Sequence, residues 1–147
     1  MLTKWTIVAL GAVIVAVATL WPWYAVRTGA GSATLTGWGT WHVAGELNAS
    51  LRPLPLGVLA CLSAGFMAFS AARERFGAAL IGAMATVASA LLPLMTEALV
   101  DRRLPGGDSV AVDLVAAPLL VLAFGLVATL VCWIGYARRV LRAAPQA

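Results

Sequence analysis

The sequence predicts an all-α membrane protein: four transmembrane helices in a single domain over 1–147, both termini cytoplasmic, and a partly structured first extracytoplasmic loop. Three observations carry this. The chain is 62% hydrophobic and only 11% charged, with a mean hydropathy of +0.94, well outside the range of soluble globular domains. Its charges gather in clusters and leave uncharged intervals at Trp5 to Val26, Pro53 to Ala72, Phe76 to Thr96 and Leu114 to Ala137. A helix rising about 1.5 Å per residue needs roughly 20 residues to cross a hydrocarbon core about 30 Å thick, and each interval is that long. The third observation is where the basic residues fall. With the N-terminus inside, Lys4, Arg73, Arg75, Arg138, Arg139 and Arg142 face the cytoplasm with Glu74 as their only acid. The other side then holds Arg27, Arg52, Arg102 and Arg103 against Glu46, Glu97, Asp101, Asp108 and Asp113. Six cations with one acid inside, and four with five outside, give +5 and −1 and account for the net +4. This is the bias that orients inner-membrane proteins. It explains the basic balance without nucleic acid, and anionic headgroups are the expected partners of Arg138, Arg139 and Arg142.

Helix 1 is expected over 5–23, with Trp5 at the inner interface, Trp21, Trp23 and Tyr24 at the outer one, and Pro22 in its last turn. Lys4, the apolar run and Ala16-Val17-Ala18 resemble a secretory signal peptide. The apolar run continues through Leu20 to Trp23, so an uncleaved first helix is the better reading. The outer loop, 24–52, is the longest connection. In it YAVRT and SATLT are β-favouring runs separated by Gly29-Ala30-Gly31, which predicts a hairpin. From Thr40 the apolar residues Trp41, Ala44, Leu47 and Leu51 recur at helical spacing, which predicts a short amphipathic helix in the outer interface. Helix 2 follows over 53–72, entered through Pro53 and Pro55, which a first turn tolerates. Arg73-Glu74-Arg75 makes a tight inner turn. Helix 3 covers 76–97 with Pro93 near its end, DRRLPGGDS forms the second outer loop, and helix 4 covers 110–137 with Pro118 in its outer half.

Small residues recur every four positions: Gly57, Cys61 and Gly65 in helix 2, Ala78, Gly82, Thr86 and Ala90 in helix 3, Ala117, Gly125 and Thr129 in helix 4. Helices in lipid associate by close van der Waals contact, so such stripes predict the faces that build the bundle. Cys61 and Cys132 fall at different depths, about 10 Å or more apart along the helix axes, too far for a disulfide. Without a Cys-x-x-Cys, thiol redox chemistry is not indicated.

Candidate chemistry is sparse. Glu97 and Asp113 are the carboxylates nearest the hydrocarbon and are candidates for proton or cation handling, with interfacial anchoring as the alternative. Small multidrug exporters carry a membrane-embedded glutamate in their first helix, and helix 1 here has no acid. His42 and Glu46 would share a helical face, as a metal pair or a base and its orienting group would, but no third ligand lies nearby. With Trp38 and Trp41 they are the candidates for contact with a partner or a headgroup. No catalytic set, metal cluster or phosphate loop is evident, and no cofactor is expected. Asn48-Ala49-Ser50 matches the glycosylation sequon, which has no meaning in a bacterium. Heavy Ala, Val, Leu and Arg usage with a single Lys suggests a GC-rich bacterial genome.

Four helices with a long first outer loop and a Gly-x-Trp are similar to the claudin arrangement. There the motif is Gly-Leu-Trp followed by two cysteines, whereas Gly39-Thr40-Trp41 is followed by His42 and Val43. Pro22-Trp23-Tyr24, Gly37-Trp38, Arg52-Pro53-Leu54 and Arg138-Arg139 make the chain resemble small actinobacterial four-helix membrane proteins of the tryptophan-associated transmembrane type. That resemblance spans most of the chain and implies no activity or site residues. The expected function is a non-enzymatic accessory or scaffolding subunit of a larger bacterial inner-membrane assembly, with a membrane-protein partner or a second copy. The alternatives are a small oligomeric proton- or cation-coupled transporter or channel subunit, and an outer-interface enzyme or binder of lipid-linked envelope precursors.

Overall fold

The computed structural model describes residues 2–28, 31–45, 55–99 and 111–143. Four helices carry most of them: α1 (Leu2–Leu20), α2 (Leu56–Ala72), α3 (Phe76–Leu99) and α4 (Ala116–Ala143). Each helix packs on its neighbours in sequence, and α1 closes the ring against α4. The packing is antiparallel throughout. Lys4 meets Glu74 and Gly11 meets Ala64 and Ala68 between α1 and α2, Gly82 meets Met67 between α2 and α3, and Gly125 meets Val87 between α3 and α4. The start of α1, the α2–α3 turn and the end of α4 therefore share one end of the bundle. Strands β1 (Pro22–Thr28), β2 (Gly31–Thr36), β3 (Trp41–Gly45) and β4 (Ala111–Leu114) form a sheet of order β3-β2-β1-β4 at the other end.

Helix 1 stops three residues short of its expected end, and the reason is chemical. Trp21 N–H donates to Val17 O at 3.2 Å, the last helical bond. The next donor in the ladder would be the N–H of residue 22, which is a proline and has none. Ala18 O is taken instead by Trp23 Nε1 at 3.1 Å, and the indole is buried with 1% of its surface exposed. Trp23 and Tyr24 thus belong to β1, and Trp23 is a core residue rather than part of an aromatic belt. The expected hairpin is present, with β1 antiparallel to β2 from Thr28↔Gly31 to Pro22↔Thr36. Ala33 and Leu35 of β2 are buried between less buried neighbours, the alternation of a sheet with one face packed.

The expected interfacial helix is corrected in its first part. Trp41–Gly45 is β3, paired antiparallel to β2 with Leu35↔Trp41 and Thr34↔His42. Strand β2 would otherwise leave an edge of unpaired N–H and C=O groups, and the Gly37-Trp38-Gly39 turn returns the chain alongside it. The turn is closed by Gly39 N–H to Thr36 O at 3.0 Å, with Gly39 at φ 80°. The remainder of that helix, Asn48-Ala49-Ser50 and Arg52-Pro53 lie outside the described residues. Helix 4 is also displaced. Ala111–Leu114 pairs with β1 as β4, so α4 starts at Ala116, with Pro118 in its first turn, and runs on through the basic segment to Ala143.

Between α2 and α3 the chain turns through Glu74 at φ 60°, the described non-glycine residue on the left-handed side. Glu74 N–H donates to Ala71 O and Arg75 N–H to Ser70 O, both at 2.9 Å, which is the double bond pattern of a Schellman cap. Glycine is the usual residue there, because a Cβ costs about 1 kcal/mol or more in this conformation. Glu74 is held by Lys4 Nζ on its carboxylate at 3.1 Å and by Arg139 Nη1 on its carbonyl. An exposed ion pair contributes about 0–1 kcal/mol. Glu74→Gly is accordingly expected to melt about 1 kcal/mol more stably than Glu74→Ala, which keeps the backbone cost and loses the pair. Thermal unfolding of the two variants in detergent measures the difference.

The bundle is polar inside only where the polar groups are paired. Thr86 Oγ1 donates to Gly82 O at 2.9 Å and to Ser63 Oγ at 3.0 Å, and Ser89 Oγ donates to Thr86 O at 2.8 Å. Among the described residues no buried side-chain nitrogen or oxygen lacks a partner. The helix 3 stripe is buried at Gly82, Thr86 and Ala90 and only half-buried at Ala78, and a methyl on Gly82 would lie 2.9 Å from Met67 N. In helix 2 the stripe fails at Gly65, which faces open space, and Ala60, Ala64 and Met67 fill the core beside Gly57. Cys61 and Cys132 are free thiols.

Candidate functional site

The sheet is seated on the bundle by a contact between two glycines. The turn after β2 pushes Gly37 between the end of α1 and the start of α2. A methyl on Gly37 would lie 2.1 Å from Ala18 O and 2.7 Å from Trp23 Nε1, and one on Gly57 would lie 2.4 Å from Gly37 Cα. Only two residues without Cβ atoms allow this approach. The adjacent Trp38 is turned the other way and is 56% exposed. On β3, His42 and Val43 are also exposed. Trp41 sits in β3 opposite Leu35, its side chain outside the described residues, and Glu46 lies outside them altogether. His42 stands on a strand, so the helical reasoning that joined it to Glu46 no longer applies. Strands β3 and β4 are the two edges of the sheet.

The two candidate carboxylates are carried by different kinds of element. Glu97 is in α3, two residues before its end at Leu99, and Asp113 is in β4 opposite Ala25, in the sheet rather than in a helix. Both side chains lie outside the described residues. Among the described residues there is no group of three His, Cys, Asp or Glu.

A second site, not expected as a unit, lies at the opposite end of the bundle. Lys4 of α1, Glu74 of the turn and Arg138, Arg139 and Arg142 of α4 line a cleft of about 350 Å³, with Phe76 of α3 beside them. The four cations and one carboxylate leave a net +3. Phe76 packs under Gly135, where a methyl would lie 2.8 Å from the ring, so α4 approaches α3 closely at the cleft. Arg73 is directed elsewhere, with its guanidinium 4.6 Å from the centroid of the Phe69 ring. The charge distribution pointed to the arginines, but the joining of Lys4 and Glu74 to them depends on three segments meeting.

The outside of the bundle identifies its solvent. Leu59, Leu62, Phe66 and Phe69 of α2, Ile81 and Met84 of α3, and Leu126 and Leu130 of α4 are exposed, Leu62 by 67% and Ile81 by 66%. An apolar surface of that extent marks a surface that meets lipid or another protein. Trp5 and Trp21 are exposed near the two ends of α1, about 24 Å apart along it, which suits interfacial aromatics bounding a hydrocarbon layer. Three of the helices, α1, α3 and α4, are long and apolar enough to cross a membrane.

These features are consistent with a multi-pass helical membrane protein in which three helices are long and apolar enough to cross the bilayer. No protein-family model, no curated protein and no solved structure matches the chain.

Proposed function

We propose that this protein is a non-enzymatic accessory or scaffolding subunit of a larger assembly in a bacterial cytoplasmic membrane, with four spans and both termini inside. The observation that carries the reading is the seated sheet. Gly37, Gly57 and Trp23 tie it to the bundle, while the same turn leaves Trp38 56% exposed. A rigid platform presenting an exposed aromatic residue suits recognition, since interface energy concentrates in such anchors. The four-span topology is supported by α2. It is 17 residues long, about 26 Å, runs antiparallel between α1 and α3, and exposes apolar side chains as they do. The orientation is supported by the gathering of Lys4, Arg73, Arg75 and the α4 arginines at the end away from the sheet.

The test is purification from native membranes in mild detergent. A membrane partner is expected to co-isolate in fixed stoichiometry, and Trp38→Ser is expected to weaken its retention by about tenfold or more, as truncation of an aromatic anchor does. A lone monomer from native membranes, or retention indifferent to Trp38, refutes the reading.

A further inference from the structure

The cleft between the ends of α1 and α4 has a charge balance that its own contacts leave incomplete. Glu74 engages two of the four cations: its carboxylate accepts from Lys4 Nζ at 3.1 Å, and its carbonyl accepts from Arg139 Nη1. Arg138 and Arg142 have no hydrogen-bond or ion-pair partner among the described residues, although both line the cavity. They are four apart on α4 and so project from one helical face. Two guanidinium groups on one face offer planar forks of N–H donors, the geometry that fits phosphate oxygens. The cleft's volume of about 350 Å³ admits a headgroup-sized anion. Thr3 adds a hydroxyl to the lining. Leu141, which flanks Arg138 on the helix surface, is an apolar residue 75% exposed. A charged cleft with an exposed apolar side chain at its flank matches a molecule with an anionic head and an acyl chain.

We infer that this cleft is a binding site for one phosphate group, with Arg138 and Arg142 as its principal ligands and the Lys4–Glu74–Arg139 contacts as the frame that fixes their helix against α1 and α3. A site of this kind differs from diffuse attraction of a basic tail to a membrane, because removing equal charge at other positions leaves it intact. The inference depends on the residues of this bundle end and not on whether the sheet docks a partner.

The experiment uses the full chain in uncharged detergent and isothermal titration calorimetry. The probes are dioctanoyl phosphatidylglycerol and, separately, inorganic phosphate. Arg138→Gln/Arg142→Gln is compared with Arg73→Gln/Arg75→Gln, which removes the same charge from the neighbouring turn outside the cleft lining. Far-ultraviolet circular dichroism verifies that both variants keep their helices. The cleft pair is expected to weaken lipid binding by about tenfold or more, because a single hydrogen bond to a charged group corresponds to roughly that factor. The turn pair is expected to change it by less than about twofold. Inorganic phosphate binding with the same dependence on Arg138 and Arg142 assigns the site to a free anion. Lipid binding with that dependence and no response to inorganic phosphate assigns it to a lipid headgroup. Equal losses in both pairs, or no loss in the cleft pair, overturn the inference.

Discussion

Replacing Gly37 with alanine is expected to detach the sheet from the helix bundle at a cost of about 3 kcal/mol or more, because the added methyl meets backbone and a buried indole rather than the end of a flexible side chain. It would lie 2.1 Å from Ala18 O and 3.1 Å from Gly57 Cα, and neither can move without shifting α1 or α2. Gly57→Ala strikes the same contact from the other side, 2.4 Å from Gly37 Cα, and is expected to cost a comparable amount. Since both substitutions break one contact, the double variant should lose much less than the sum of the two. Gly65→Ala provides the opposite sign. It adds a methyl into open space on the interior of α2, where alanine exceeds glycine in helix propensity by roughly 0.5–1 kcal/mol. Hydrogen exchange reports the location: protection across β1 and β2 should fall in the first two variants while that of α3 and α4 persists. Unchanged exchange and melting in Gly37→Ala would show that the two backbones do not meet.

Trp23→Ala is expected to be comparably damaging, costing about 3–5 kcal/mol as the deletion of a large buried side chain does. Volume is one part of that. The indole N–H also satisfies the carbonyl that Pro22 leaves without its helical donor, at 3.1 Å and in a buried position. Trp23→Phe separates the two effects, since it keeps most of the apolar bulk and removes the donor. It is expected to cost about 1–3 kcal/mol, the range for leaving a buried polar group unpaired. Trp23 is also the most buried of the five tryptophans whose exposure is described, with Trp5, Trp21, Trp38 and Trp133 all open. Quenching by a water-soluble quencher should therefore spare an emission component that Trp23→Phe removes. A fluorescence spectrum in which every tryptophan quenches alike contradicts the packing.

Spacing along the chain sets Trp21 and Trp23 together at the outer interface and Trp38 and Trp41 apart from them, and the structure separates Trp21 from Trp23 as well. Trp21 lies exposed at the end of α1, Trp23 plugs that end, and Trp38 faces outward from the turn that seats the sheet. Sequence spacing alone could not separate Trp21 from Trp23. The difference arises because Pro22 ends the helical ladder between them and lets the next residue fold back beneath it. Similar reasoning applies at β3. Trp41 and Ala44 fit a helical stripe, yet five residues beside an unpaired strand edge gain backbone hydrogen bonds by extending. At β4, AVDL lies directly before a long apolar run, so its hydropathy merges with the helix although its partner is Tyr24 to Arg27, far back in the chain.

What the sequence by itself determined is what depends on local composition. The apolar intervals are long enough to span a bilayer, the β1–β2 hairpin follows from β-favouring runs around a glycine turn, and basic residues separate from acidic ones along the chain. Each is a property of consecutive residues, and lipid imposes its demand on consecutive residues as well. Tertiary structure alone decided where helix 4 starts, that a four-stranded sheet rests on the bundle, and which charges meet. Gly37 touches Gly57 across 20 positions, and Lys4 reaches Glu74 across 70. Such contacts are selected by the space the packed helices leave, and that space exists only after the helices have packed.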